Sequence, residues 1–223
     1  MDAALALALV DEDGPTAITG ATLGRALNVD RSAIWRHFAD RDDLFASLYN
    51  EMLEPVVEAA GRTGDPWDRL SAVFESIIEA CLLRPLLARD AVVLSPRGQN
   101  WRLLSERLIS TLGELGLGPE QSAGYFRMSL EIIQSYAAAL AVDEMRPAAD
   151  RDREMEEVRR ELRSFDPDEY PHLYATGRYL ENIRQADVTE RILNLLRLAV
   201  EHARAAQTSA PAETPTHGGP DRR

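Results

Sequence analysis

Positions 31–37 of this chain carry Arg31, Ser32, Trp35, Arg36 and His37 with no acidic residue among them. Two guanidinium groups, a hydroxyl, an indole N–H and an imidazole are hydrogen-bonding groups suited to phosphate oxygens and base edges, and arginine pairs bidentately with guanine. Reaction chemistry is not legible anywhere. There is no Gly-rich phosphate loop, no HExxH and no paired cysteine, and the four histidines lie far apart at 37, 172, 202 and 217. Cys81 is the single cysteine and sits in the apolar run SIIEACLL, which predicts a buried, inert thiol. The chain is therefore expected not to be an enzyme and to need neither cofactor nor metal.

The elements that must position the cluster can be read from caps and spacing. Asp30 can cap a short helix over 31–37, on which Ile34 and Phe38 share an inward face at i, i+4. A helix this short is not stable alone and must be held by its neighbours. Before it, ATLGRALNV (21–29) places Leu23, Ala26 and Leu27 on one face, and Asn28 can adopt the left-handed conformation that ends a helix. Thr19 is placed to cap this helix and to help hold a phosphate at its N-terminus. Leu5, Ala8 and Leu9 mark an earlier amphipathic helix, stopped by Asp13-Gly14-Pro15. After the cluster, Asp40 can cap a long helix over 41–60, with Asp42 and Asp43 in its positively polarised first turn and a kink or stop at Pro55.

Three short helices with a tight turn form a helix-turn-helix, and residues 3–50 resemble the DNA-binding domain of the tetracycline-repressor (TetR) family. The resemblance rests on the run Trp35-Arg36-His37-Phe38 followed by Asp40-Arg41-Asp42-Asp43-Leu44, at the family's spacing after a four-residue turn. It implies an all-α chain in which Arg31, Ser32, Trp35, Arg36 and His37 face the major groove while Thr19 and Arg41 meet phosphates. Two features depart from the family pattern: MDAALALAL carries no basic arm, and Ala21 stands where a basic residue is common.

Charge runs against bulk attraction to nucleic acid. The net charge is −12, and residues 1–50 hold four arginines against eight acids. Binding to DNA then needs a local positive face, and the arginines of residues 1–50 do cluster within 25–41. All basic residues are arginine. No apolar stretch reaches transmembrane length, and the acidic start does not read as a signal peptide, so no membrane association and a cytoplasmic location are expected.

Beyond residue 50 the pattern is helix after helix. Asp65-Pro66 starts one that uses Leu70, Val73, Phe74, Ile77 and Cys81; Pro85 ends it, and a short helix over 86–94 follows. Another spans 99–115, with Trp101, Leu104, Leu108 and Leu112 on one face. The next, over 119–143, is apolar on two faces and must bury both. One face suits the subunit core. The other, with Ala138, suits close packing against a partner, and the family resemblance implies that it pairs with the final helix (186–205), through Ile192, Leu195 and Ala199, in a twofold dimer interface. Phe74, Trp101, Phe126, Glu131, Gln134 and Tyr136 are the candidates to line a small-molecule pocket between the helices starting near 66, 99 and 119. Fourteen of the residues 150–169 are charged, which predicts a solvated surface helix. Residues 207–223 are low-complexity and expected to be disordered.

These readings give a division into a helix-turn-helix DNA-binding domain (1–48), a helical ligand-binding and dimerisation domain (49–206) and a tail (207–223). The function that follows is a homodimeric, ligand-responsive transcriptional regulator that binds a double-stranded DNA operator, expected to be a repressor released by a small hydrophobic effector. The competing expectation is a ligand-binding or protein-interaction module of the same fold that has lost DNA binding, which the acidic N-terminal region would suit.

Overall fold

The computed structural model describes residues 19–93 and 95–209. The expected first helix, at Leu5 to Leu9, and positions 210–223 of the tail lie outside the described residues. Eleven helices and no strand occur among the described residues. They are α1 (Gly20–Ala26), α2 (Arg31–Ile34), α3 (Arg41–Met52), α4 (Glu54–Ala60), α5 (Pro66–Leu83), α6 (Pro85–Ala91), α7 (Gln99–Glu114), α8 (Pro119–Glu144), α9 (Ala148–Leu162), α10 (Pro171–Leu180) and α11 (Gln185–Ser209).

The turn between α1 and α2 is built by short-range chemistry. Asn28 takes φ 52°, the left-handed conformation that an Asn tolerates at a helix end. Val29 N–H then returns to Gly24 O at 2.8 Å and Asn28 N–H to Arg25 O at 3.2 Å, the paired bonds of a Schellman motif. Asp30 caps α2 by accepting from Ser32 N–H at 2.7 Å. The helix expected over 31–37 is only four residues long. After Ile34 the backbone tightens into i→i−3 bonds, Arg36 N–H to Ala33 O and His37 N–H to Ile34 O.

The expected helix over 41–60 is two helices meeting at Leu53. Pro55 has no N–H to give to the preceding turn, and the break falls just before it. Asp40 caps α3 through Asp43 N–H at 2.8 Å, and Asp43 Oδ2 accepts in return from Ala39 N–H at 3.1 Å. Asp65 caps α5 through Trp67 N–H, with Pro66 in the first turn.

α5 packs along α8, with α4 and α7 completing the body. Its core includes Leu70, Val73, Phe74, Leu104, Leu108, Leu112, Ile133 and Ala137, all at most 3% exposed. α6 is shorter than expected, ending at Ala91, and packs between α3 and α8. α11 is fastened to α8 by its buried Leu196, Val200 and Ala203, and by two tyrosines. Tyr125 donates to Ala199 O at 3.0 Å and Tyr136 to Gln185 O at 3.2 Å. α11 continues through Ser209, so positions 207–209, expected in the disordered tail, are helical. The charged segment becomes α9, which has no buried residue. It packs against α10, where Gly177 lies so close under Leu162 O that an added Cβ would sit 2.8 Å from it.

Candidate nucleic-acid interface and effector pocket

The short helix α2 is held from behind and armed in front. Ile34 is fully buried and Phe38 nearly so, which leaves Arg31, Ser32, Trp35, Arg36 and His37 exposed together. Arg31 and Arg36 enter no ion pair found among the described residues, yet both help hold the Asp30 carboxyl below its ordinary range. The larger causes of that depression are the hydrogen bonds from Ser32 side chain and backbone. Ser32 therefore faces its own cap as well as solvent. Trp35 has a second duty too. Its indole lies across Gly20, where an added Cβ would approach the ring to 2.8 Å, so the ring spaces α2 from the start of α1. Thr19 caps α1 in a reciprocal box with Thr22, each side chain bonding the other residue's backbone N–H.

Arg41 stands differently from the expectation. Its guanidinium donates to Asp90 Oδ2 of α6 at 2.6 Å and lies 4.2 Å from the Phe45 ring centroid. A residue expected on a phosphate is thus engaged by a carboxylate of the body. Burial acts to raise the Asp90 pKa, but the bonds from Arg89 and Arg41 outweigh it and hold the carboxyl below its ordinary value.

A cavity of about 330 Å³ opens between the end of α6, the segment after it, α7 and α8. Trp101, Phe126, Leu130, Glu131, Gln134 and Val93 lie on its wall. The Trp101 and Phe126 rings sit 6.0 Å apart at 46°, a tilted aromatic pair. Gln134 Nε2 donates to Ala91 O at 3.2 Å, and Arg127 pairs with Glu131 at 2.5 Å one turn along α8. Four of the six expected pocket residues therefore gather here. Two do not. Phe74 is 1% exposed in the core on α5, and Tyr136 is turned to the Gln185 carbonyl of α11. The cavity is bordered by α6 and its following segment rather than by α5, because α5 spends its apolar face on the core. Val92, Val93 and Pro96 were not anticipated; a loop wall carries no periodic signal.

The segments that border the cavity are joined to α3 at three points. Asp90 holds Arg41, and Arg97 donates to Asp43 Oδ1 at 3.1 Å. Asn50 of α3 caps α7, whose own N-cap is Gly98. Asn50 Oδ1 accepts from Asn100 N–H at 2.9 Å and from Trp101 N–H at 3.3 Å. Gly98 (φ 114°) must lack a side chain, since a Cβ would collide with Asn50.

The expected dimer face is partly redrawn. Leu195 is 62% exposed and Leu198 64%, beside Met128, Ile132 and Val142 exposed on α8. Ala138 is instead 4% exposed and packed into its own subunit, because the helical phase of α8 puts it beside Ala137 and Ala141 in the core. Ile192 packs against that core, and Ala199 is half-buried with its carbonyl taken by Tyr125. Cys81 is buried and burial pushes its thiol up to about 12, too high for a nucleophile at neutral pH. Among the described residues no helix is long and apolar enough to cross a membrane.

No protein-family model and no curated protein matches the sequence. Solved structures do match the fold. One, described as a possible TetR family transcriptional regulator from Streptomyces coelicolor A3(2), is 25% identical with TM-score 0.70, over 92% of this chain and 97% of that one. Apo ActR from Streptomyces coelicolor is 18% identical with TM-score 0.79, over 92% and 95%. ActR in complex with actinorhodin is 18% identical with TM-score 0.76, over 91% and 95%.

Proposed function

We propose that this chain, whose fold is that of the TetR-family regulators, is a homodimeric, ligand-responsive DNA-binding transcriptional regulator. The observation that carries the reading is the geometry of α2: Ile34 and Phe38 anchor it, and Arg31, Ser32, Trp35, Arg36 and His37 stand outward from one short helix. Such a helix, presented twice by a symmetric dimer at a spacing of about 34–36 Å, fits successive major grooves of an operator. Thr19 and Arg41 border it as phosphate contacts. We take residues 1–48 as the DNA-binding domain, 49–206 as the ligand-binding and dimerisation domain and 207–223 as a tail, in a cytoplasmic protein. Leu195, with Ile192 and Ala199 beside it, belongs to the dimer face.

The effector site is the cavity carrying Trp101, Phe126, Glu131 and Gln134. Its ligand is a small, mostly apolar molecule, oriented by the two polar groups. The ActR complex with actinorhodin supports a small-molecule site within this fold. Regulation follows from the shared wall. A ligand that displaces the segment between α6 and α7 shifts Asp90, Arg97 and Trp101 together, and with them the seat of α3. It lowers operator affinity by its differential free energy for the two arrangements, typically ~1–3 kcal/mol, which is the action of a repressor released by its effector.

Selection of bound duplexes from a random pool tests the reading. A palindromic or pseudo-palindromic sequence should be enriched, and a variant carrying Arg31, Arg36 and His37→Ala should lose it while keeping its helical content. Unchanged enrichment by the folded triple variant overturns the assignment.

A further inference from the structure

A second cleft, independent of the DNA reading and of the effector cavity, lies between α5 and α11. Toward its C-terminal half α5 diverges from the N-terminal half of α11, leaving a groove of about 500 Å³. α11 is held further along by Leu196, Val200 and Ala203, and at its start by Tyr136. The groove is lined with Ile78, Leu82, Leu83 and Leu193, and Leu82 and Leu83 are exposed large apolar side chains. Glu75, Glu79 and Glu190 also line it, and none of its lining residues is basic. None of the three carboxylates enters an ion pair found among the described residues. Glu75 has only a long hydrogen bond from Ser71, at 3.4 Å. It shares no residue with the effector cavity.

We infer that this groove binds a small lipophilic cation, with the leucine and isoleucine side chains taking its apolar body and the three glutamates its charge. Ligand clefts of this size are mostly apolar with a few polar groups that select and orient. Here all the charge is of one sign. An anion is repelled, and a neutral apolar molecule gains nothing from the carboxylates and desolvates them at a cost. A cation with a greasy surface satisfies both parts at once, meeting the unpaired carboxylates with its charge while it covers Leu82 and Leu83. A metal ion is a poor fit, because no group of three acidic, His or Cys side chains converges on a metal position among the described residues.

Two ions of nearly equal shape and opposite charge decide the matter. The full chain is titrated by calorimetry with tetraphenylphosphonium and, separately, with tetraphenylborate. The phosphonium should bind and the borate should not, and phosphonium affinity should fall as salt is raised. The E75Q, E79Q, E190Q variant should bind it at least ten-fold more weakly. These changes are isosteric and on the surface, so folding is preserved. Thr189→Trp, which fills the groove from α11, should abolish binding by another route. The inference is overturned by equal binding of the two ions, by no phosphonium binding, or by affinity that the triple variant leaves intact. It is also overturned if Trp101→Ala alone removes binding, which places the ion in the effector cavity, or if only dissociated subunits bind, which makes the groove an interface between copies. Operator selection is a separate readout, so failure here leaves the regulator reading standing.

Discussion

The segment 19–40 and the body formed by α4, α5, α7 and α8 solve opposite problems. The first must point side chains outward from a small base, and it does so with Leu23, Ile34 and Phe38 inside and a chain of caps around them. The body points side chains inward from long helices, and its core includes Val56, Leu70, Val73, Phe74, Leu104, Leu112 and Ile133, each almost inaccessible. One region depends on single backbone contacts at particular residues. The other depends on summed packing over many. A change in the first should alter function before global stability, and a change in the second should do the reverse.

The largest stability effect is therefore expected from the body. Phe74→Ala leaves a void at a position 1% exposed, surrounded by close-packed helices. The expected loss is ~3–5 kcal/mol, with chemical denaturation as the measurement. Operator affinity measured well below the melting temperature should be nearly unchanged, since Phe74 lies in the core on α5 and does not line the cavity. A loss of affinity in fully folded protein would mean that the two regions are more tightly coupled than their contacts indicate.

The contrast also explains what could be read from sequence. Caps act within about four residues, so Thr19, Asp30, Asp40, Asp65 and the left-handed Asn28 were all legible and all stand where their spacing puts them. The length of α2 was not, because it is cut short where Trp35 must cross Gly20, a contact between elements. In the body, periodicity marked α5, α7, α8 and α11 but could not say which of two apolar faces turns inward. Ala138 and Phe74 went to the core and Tyr136 to α11 for that reason. Arg41 and Asp90 are 49 positions apart, and no local pattern links them.

The next effect in size tests the first region. Gly24 is the residue whose carbonyl receives Val29 N–H, and a Cβ on it would stand 2.9 Å from Val29 O and 3.3 Å from Arg31 N. Both are backbone atoms that cannot rotate away. Gly24→Val is expected to cost ~1–3 kcal/mol through overpacking. A real helix-propensity gain over glycine, a few tenths of a kcal/mol, opposes this and is smaller. Operator binding should fall steeply, because the turn that sets the angle of α2 is displaced, while the main unfolding transition of the body moves little. Proteolysis confined to residues before α3 is the measurement. A variant that resists cleavage and binds DNA normally would show that the turn has room the structure does not reveal.

The smallest effect lies at the joint between the regions, in the Arg41–Asp90 pair. Arg41 is 55% exposed, so solvent screens the pair and its share of stability is slight. Its sign with pH is nonetheless fixed. The Asp90 carboxyl is held below its ordinary 3.8 in the folded chain. A depressed carboxylate contributes stability that is present above the unfolded value and is lost as pH falls through the folded one. The stability difference between the native chain and Asp90→Asn should thus be constant from neutral pH down to about 5 and close progressively below about 4. At neutral pH the same substitution frees the Arg41 guanidinium. If Arg41 exchanges Asp90 for a phosphate on binding DNA, Asp90→Asn should tighten the operator complex for all sequences alike and weaken the response to effector, whose proposed route runs through that carboxylate. Arg41→Ala should do the opposite to affinity and flatten its salt dependence. A tighter complex with an unchanged effector response would assign the coupling to the Asn50 cap and the Arg97–Asp43 pair instead.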